Sequence, residues 1–434
     1  MNMKRFCIII YVISVVLLLC SCTALRDSKT NDFKRTSFSE TSTDHLSEKT
    51  YSSEIQSSSM ESIMGIENNN QILSLTDGEG FPVVGNSEVY SNGSYYCITG
   101  CVPDLNVYNF DVSFVISEVV SEGKTKDFEY AIHRNGLLEI TKTLDNSKNI
   151  TIPETINKHT VAYIGREAFK TSEAENVILP ESIIAIGESA FYEAPNLKSI
   201  KLSNRLIAIS AYAFYGCQKL NEIVLPNCLQ AIGKCAFSGC KKLKTINMPD
   251  QLRIVGSEAF SSCNSLSGRL EFKKNLYSVA SGAFEKTGIE TVTFCDDVYE
   301  INAGAFTECS KLKEVILPKA MKDSENGLGW GMFANCTSLE KVNVPQNIIG
   351  LPSDFFYGCK ALKAITIPAS IESIGSDVFS GCTSLKDVYF ESKDCDLYYN
   401  SFLLTKGLTV HAPKGGSVEK FFRLRPLVKF VATD

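Results

Sequence analysis

Apolar residues recur at a nearly constant interval along the second two-thirds of the chain. Ten phenylalanines stand 22 to 27 residues apart, and the two fullest copies around them read LNEIVLPNCLQAIGKCAFSGCKK (220–242) and LKAITIPASIESIGSDVFSGCTS (362–384). A fixed period of this length indicates stacked supersecondary units, because a single unit cannot bury its apolar side alone. The ten are Phe169, Phe191, Phe214, Phe237, Phe260, Phe284, Phe306, Phe333, Phe356 and Phe379.

Each copy predicts one short strand followed by turns. The segment L-x-x-I-x-[LI] alternates apolar and polar positions, which favours a strand of about three or four residues. Pro226 or Pro368 ends that strand, because proline cannot donate to a ladder, and the glycine of the following I-G pair marks a turn. Stacked copies would pair as parallel strands about 4.8 Å apart. We expect an α/β-type repeat solenoid with short parallel strands, preceded by a small β-rich segment.

The combined pattern, L-x-x-I-x-[LI]-P and then I-G-x-x-x-F-x-x-C, resembles the BspA-like leucine-rich repeat family of bacterial surface proteins over residues 128–434. The resemblance implies a leucine-rich repeat solenoid over 128–389 with a C-terminal cap over 390–434. For function it implies adhesion or binding at the cell surface, with partners that vary within the family. Residues 71–127 lie outside the repeat, and stretches such as VSFVI (112–116) predict a small β-rich module or an N-terminal cap.

The first 70 residues predict export. A short positive region, MNMKR, precedes an apolar run over residues 6–19 that is too short for a comfortable membrane span. The sequence LCSC (19–22) resembles a bacterial lipoprotein signal. This implies a signal peptide over 1–21, lipid attachment at Cys22 and a place on the extracellular face of the cell membrane; an ordinary secretory signal is the alternative. Residues 22–70 are rich in Ser, Thr and Asn, which predicts a flexible tether.

Seven cysteines share one slot, three residues after the phenylalanine, and stacking would place them in an interior column. We expect packed free thiols there, because sulfurs strung along a line suit neither zinc nor repeated disulfides. Cys235 fills another slot and is expected at the surface or its edge, where a bridge to Cys228 is conceivable. Cys97 and Cys101 form the better disulfide candidate, with a reduced pair as the alternative. The seven are Cys217, Cys240, Cys263, Cys309, Cys336, Cys359 and Cys382.

Composition and charge narrow the class of function. Hydrophobic residues make up 44% of the chain and charged residues 21%, as in an ordinary folded protein. The net charge is −6 and no basic face is visible, which argues against a nucleic-acid partner. None of the four histidines stands at metal-binding or catalytic spacing from an acid or a cysteine, and the glycines follow the repeat period. We therefore predict no enzyme, no metal and no cofactor.

The outward positions of the repeated strand predict the recognition surface. The second and third variable slots of L-x-x-I-x-L should form two columns on a concave face, suited to an extended protein or glycan of a host or neighbouring cell. A solvated sheet face is the alternative for most of these residues. An envelope module that spaces or assembles other proteins is the alternative function. The candidates are Lys201, Glu222, Asn247, Arg269, Thr293, Glu314, Lys341, Asn343 and Tyr389.

Trp330 is the single tryptophan and lies in GLGWG (327–331), within the longest copy of the repeat. Tryptophan is enriched at binding hot spots, and the flanking glycines would let it project from the surface as an exposed-loop candidate. The other interpretation, which we favour from the sequence, is that the indole folds back and fills the widened turn.

Overall fold

The computed structural model describes residues 118–433 apart from residue 297. The predicted signal peptide, tether and nearly all of the 71–127 segment lie outside these residues. The described part forms short strands and one α-helix, α1 (Ser417–Arg423). The first strands are β1 (Val119–Lys124), β2 (Phe128–His133), β3 (Leu138–Thr143), β4 (Asn149–Thr151), β5 (Thr155–Ile156), β6 (His159–Ile164), β7 (Asn176–Ile178), β8 (Ala185–Ile186), β9 (Ser199–Lys201), β10 (Ala208–Ile209), β11 (Ala231–Ile232), β12 (Ile254–Val255) and β13 (Ser267–Glu271). The remaining strands are β14 (Ser278–Val279), β15 (Gly288–Thr293), β16 (Glu300–Ile301), β17 (Glu314–Ile316), β18 (Lys341–Val342), β19 (Gly350–Leu351), β20 (Ala364–Ile367), β21 (Ser373–Ile374), β22 (Asp387–Phe390), β23 (Asp396–Leu397), β24 (Thr409–Pro413) and β25 (Lys429–Thr433).

Most turns of the chain contribute to two parallel ladders of strands. Ladder A is built from the predicted strand and comprises the sheets β4-β7-β9, β13-β15-β17-β18 and β20-β22-β24-β25. Ladder B runs from β6 through β8, β10, β11, β12 and β14 to β16, and resumes as β19-β21-β23. In ladder B, Ile232 pairs with Ile209 on one side and Val255 on the other. The prediction of one strand per turn was therefore incomplete, because the I-G pair assigned to a turn ends a second strand.

The α/β part of the predicted fold class is not confirmed. Within the described residues, the one helix is α1, close to the C-terminus. In the segment after ladder B, around each phenylalanine, backbone amides donate hydrogen bonds to carbonyls of the next turn. Phe214 N donates to Ala236 O and Phe237 N to Ala259 O, each at 2.7 Å. Amides that bond to the next turn are not available to the i−4 carbonyl of a helix. The fold is a solenoid of parallel strands and turns.

The repeated phenylalanines form the predicted central column. All ten are fully buried, and successive rings stack at centroid distances between 4.8 Å, for Phe169 and Phe191, and 5.9 Å, for Phe306 and Phe333. The column continues to Phe402, whose ring lies 5.0 Å from that of Phe379. Each turn thus buries an aromatic ring against its two neighbours, which gives large apolar burial and a preferred ring geometry.

Both ends of the described solenoid carry additional elements. At the first end, β1, β2 and β3 pair antiparallel, and β3 then pairs in parallel with β6 of ladder B. At the other end, β24 and β25 extend ladder A within the segment predicted as a cap, and α1 packs against β23, β24 and β25. The Ser417 hydroxyl accepts from Cys395 N and donates to Cys395 O, both at 2.9 Å. These elements cover strand edges that would otherwise present unpaired amides and carbonyls.

The seven cysteines of the shared slot are packed free thiols, as predicted. All are fully buried, and each Sγ donates to the carbonyl of the phenylalanine one turn earlier. For example, Cys240 Sγ lies 3.2 Å from Phe214 O and Cys309 Sγ lies 3.0 Å from Phe284 O. The column therefore satisfies one carbonyl per turn with a small apolar side chain.

The surface position predicted for Cys235 is wrong. Its side chain is buried, with Sγ 3.9 Å from Glu258 Oε2 of the next turn, and burial raises the pKa of the thiol to about 11. Cys228 is exposed, and both cysteines are free, so the conceivable bridge between them does not form. Stacking against adjacent turns buries Cys235, and this contact cannot be read from its own copy of the repeat.

We expect Cys228 to be alkylated far faster than the column thiols in the native full-length protein. Burial raises the pKa of Cys217 and of Cys382 to about 12, so at pH 8 they remain protonated and their thiolate fraction is on the order of 10⁻⁴. Residue-resolved mass spectrometry after timed iodoacetamide treatment measures each rate. We predict a difference of more than about 100-fold, which disappears in guanidinium. Comparable native rates at Cys217 and Cys228 would contradict the buried column.

Candidate binding face

The outer side of ladder A carries the two predicted columns of side chains in register. Column 1 includes Arg269, Thr291, Glu314 and Lys341, which are successive Cα partners. Column 2 includes Glu271, Thr293 and Ile316 in the same sheet, and Thr366, Tyr389 and His411 in the next. The strands alternate a buried residue with an outward one, so both columns point away from the phenylalanine core.

Asn247 and Asn343 each bond through the side-chain amide to the backbone of the preceding turn of ladder A. Asn247 Oδ1 accepts from Leu225 N at 2.9 Å and its Nδ2 donates to Leu225 O at 2.7 Å. Asn343 makes the same pair of bonds to Leu317, at 2.7 and 2.9 Å. Both amides thus replace missing strand pairing. Their hydrogen-bonding groups are engaged with the backbone, and their role in the face is to hold successive turns together.

At the N-terminal end of the face, Lys201 and Glu222 line an open cleft of about 370 Å³. Here β9 is followed by a turn that pairs with it only through the bridge between Ser199 and Glu222. The cleft also contains Val224, whose side chain is 67% exposed. The site therefore combines one cation, one anion and an exposed apolar side chain.

The central part of the face is charged and accessible. Arg269 lies 3.7 Å from Glu271, which also meets Lys273 at 3.4 Å. All three are exposed, and ion pairs of this kind contribute little to stability, so they can exchange partners readily. Thr293 and Glu314 are half-buried, and Lys341 is exposed.

At the C-terminal end, Tyr389 belongs to a cluster of three side chains. Its ring stacks on the imidazole of His411, with centroids 4.4 Å apart and planes 14° apart. His411 Nε2 lies 2.9 Å from Asp387 Oδ1, which fixes the imidazole. His411 was not among the predicted residues. Its signal was the segment LTVH (408–411), which repeats the strand pattern one turn after Asp387 and Tyr389.

Column 2 exposes more apolar surface than the solvent-facing side of an ordinary sheet. Four of its large apolar side chains are between 41% and 67% exposed. The outer face of an ordinary one-sided sheet is polar, whereas exposed apolar side chains rimmed by polar ones mark interaction sites. The four are Ile178, Val224, Ile316 and Tyr389.

Trp330 lies away from this face, on the turn that follows ladder B. Its side chain is 64% exposed, so the interpretation that the indole fills the widened turn is wrong. Met321 and Leu328, from the same copy, are buried in the core of that turn instead. Cys22, Cys97 and Cys101 lie outside the described residues.

No group of three or more His, Cys, Asp or Glu side chains in the described region could hold a metal ion. Among the same residues, no helix has the length and apolar character needed to cross a membrane.

Comparison with known proteins gives one family match of broad extent. The sequence model described as "BspA type Leucine rich repeat region (6 copies)" matches residues 142–267, 230–328 and 323–418. Together these matches span more than half of the chain. None of the proteins with a curated description is significantly similar to it.

Solved structures similar to the chain include leucine-rich repeat proteins from several bacteria. A leucine rich cell surface protein from Faecalibacterium prausnitzii is 22% identical, with 73% of this chain and 96% of that chain covered and a TM-score of 0.44. A leucine-rich repeat protein from Bacteroides ovatus is 23% identical, with 74% and 100% covered and a TM-score of 0.40. The T. pallidum leucine rich repeat protein is 23% identical, with 61% and 91% covered and a TM-score of 0.32.

Proposed function

The chain belongs to the BspA-type leucine-rich repeat family, and from this premise we propose that it is a lipid-anchored surface protein that binds a macromolecule through the outer face of ladder A. The ligand class is a protein or glycan of a host or neighbouring cell. Anchoring through Cys22 and display on the extracellular face are part of the proposal. They are supported by the lipoprotein-like sequence at 19–22 and by the surface location typical of the family.

The observation that carries this proposal is the exposed apolar series in column 2. Val224 and Ile316 stand on the same side of ladder A, among charged residues such as Lys201, Glu271 and Lys341. A partner that covers these side chains would remove apolar area from water and still find charged groups at its rim. An extended ligand lying along the ladder would contact several turns, so modest contributions from each turn would add.

We expect the double substitution Val224→Glu and Ile316→Glu to weaken ligand binding by at least about tenfold, which corresponds to about 1.4 kcal/mol. A partner that buries these positions would desolvate two unpaired carboxylates. The measurement is binding of the purified protein to intact cells and to arrayed matrix proteins and glycans. The wild-type protein provides the ligand set, and circular dichroism confirms that the variant is folded.

A second candidate function is an envelope module that assembles through the ends of the array. Leu404, Leu424 and Leu427 near the C-terminal end are strongly exposed, which favours this alternative over a plain solvated end. Leu424→Glu with Leu427→Glu is therefore the matched control. Under the main proposal it leaves cell binding unchanged. The assembly function would instead be established if the wild-type protein recovers no ligand but self-associates, and if the leucine variant does not self-associate.

A further inference from the structure

We propose a second binding site, for a neutral polysaccharide chain, on the turn that follows ladder B. The site is the aromatic trough, defined as Trp330, Ser353, Ser376 and Tyr399. All four fill the same slot of the repeat in four successive turns. Ser353, Ser376 and Tyr399 stand two residues after the ends of β19, β21 and β23, and Trp330 stands two residues after Leu328, which bridges to Ile301 of ladder B. The trough lies beside ladder B, whereas the proposed recognition face lies on ladder A. A test of sugar binding at the trough is therefore independent of the proposed function.

Backbone contacts establish the order of the trough. Gly331 N donates to Ser353 O and Asp354 N to Ser376 O, both at 2.9 Å. The last turn follows β23, whose Leu397 pairs with Ile374. Three steps of one turn separate the tryptophan from the tyrosine, a distance of about 14 Å at the usual spacing of parallel strands.

The trough has aromatic ends and a low hydroxyl floor. Trp330 and Tyr399 are 64% and 77% exposed, and both serines between them are half-buried. Ser376 Oγ donates to Ser353 Oγ at 3.1 Å. Gly375 lets its turn pack closely on the preceding one, because a Cβ at that position would lie 2.7 Å from Ser353 N. A ligand can therefore lie across the two small residues and meet a ring at each end.

Carboxylates flank the floor. Asp354 and Asp377 fill the next slot of the repeat, one residue after each serine, and both are half-buried. Asn400 Nδ2 donates to Asp377 Oδ2 at 2.6 Å, which orients that carboxylate. Burial raises the pKa of Asp354, and the charge of Asp377 adds to the shift. A ligand with neutral hydroxyl groups suits these two neighbouring carboxylates, because its hydroxyls can donate to both of them without adding charge.

This combination fits a sugar chain better than a peptide. The C–H faces of hexose rings stack on Trp and Tyr, and sugar hydroxyls can bond the serines and carboxylates. An extended peptide would require an open strand edge, but the trough backbone already bonds from turn to turn. An anionic glycan would meet two carboxylates. The guanidinium of Arg425, beside Tyr399, donates instead to the carbonyls of Tyr399 and Phe421.

Trp330 reports directly on the trough, since it is the single tryptophan of the full chain. We would titrate the full-length protein with neutral hexasaccharides, namely cellohexaose, laminarihexaose, xylohexaose and mannohexaose, and follow tryptophan emission and acrylamide quenching. At least one sugar should shift the emission to shorter wavelength and protect the indole from acrylamide. Tyr399→Ala should weaken binding of that sugar about tenfold, because the contact between the aromatic ring and the C–H face of one hexose is lost.

Two further variants keep the test specific. Ser376→Leu places a bulky side chain on the trough floor and should abolish protection while leaving Trp330 exposed. Tyr215→Ala removes a half-buried aromatic ring that stacks on Tyr192, outside both the trough and ladder A, and should leave sugar binding unchanged. The proposal is overturned if no hexasaccharide protects Trp330 at millimolar concentration, if extended peptides protect it instead, or if Tyr215→Ala abolishes the effect and Tyr399→Ala does not.

Discussion

Replacement of Phe260 by alanine should destabilise the solenoid by about 3–5 kcal/mol, the usual cost of deleting a buried aromatic ring. Phe260 is fully buried near the middle of the column. Its ring stacks on Phe237 at 5.1 Å and on Phe284 at 5.2 Å, with planes within 8° in both cases. The substitution therefore leaves a cavity and removes two aromatic contacts, and nothing in the stacked turns can close the gap without shifting a ladder.

The effect should also change how the protein unfolds. In a repeat array each unit contacts only its neighbours, so a weak turn can separate two cooperative segments. We expect urea unfolding of Phe260→Ala to split when circular dichroism is compared with the fluorescence of Trp330, which lies on the C-terminal side of the cavity. Val224→Ala, at an exposed position, is the control and should cost less than about 0.5 kcal/mol. A cooperative transition shifted by less than about 1 kcal/mol would argue against a continuous column.

A methyl group at Gly233 should cost about 3 kcal/mol, at the upper end for an overpacked site. A Cβ at this position would lie 2.4 Å from Ala211 N and 2.6 Å from Ser210 C, and both are backbone atoms of the preceding turn. To relieve the contact the turns must move apart. That movement would strain the bond from Gly233 N to Ile209 O, which now measures 2.8 Å.

Ala280→Gly is the matched control for Gly233→Ala, because Ala280 is buried and occupies the same slot of the repeat two turns later. Removing its methyl group should cost less than about 1 kcal/mol, mostly through chain entropy. Equilibrium denaturation of both variants measures the difference. Equal stability of Gly233→Ala and the wild-type protein would show that the turns are more loosely packed than their contacts indicate.

Much of the architecture was readable from the spacing of residues in the chain. The period of the phenylalanines gave the central column, and the shared slot of Cys240 and its equivalents gave the buried thiols. The alternation in L-x-x-I-x-L identified the outward columns, including Arg269 and Tyr389. These features depend on relations within one copy of the repeat, and the same relations recur in every copy, so regular stacking extends them to the whole array.

Contacts between copies were not readable in the same way, because they join residues 22 to 27 positions apart whose identities change from turn to turn. Ladder B forms where the I-G segments of neighbouring turns pair. Each of its strands is mostly two residues long, which is too short for an alternating pattern to predict a strand. Cys235 is buried by an adjacent turn, Asn247 bonds to the backbone of the previous one, and His411 meets Tyr389 only across the strand spacing. Trp330 is exposed because Met321 and Leu328 already fill the core of its turn. The tertiary structure decides the burial and the contacts of these side chains, because both depend on which residues of the adjacent turns lie next to them.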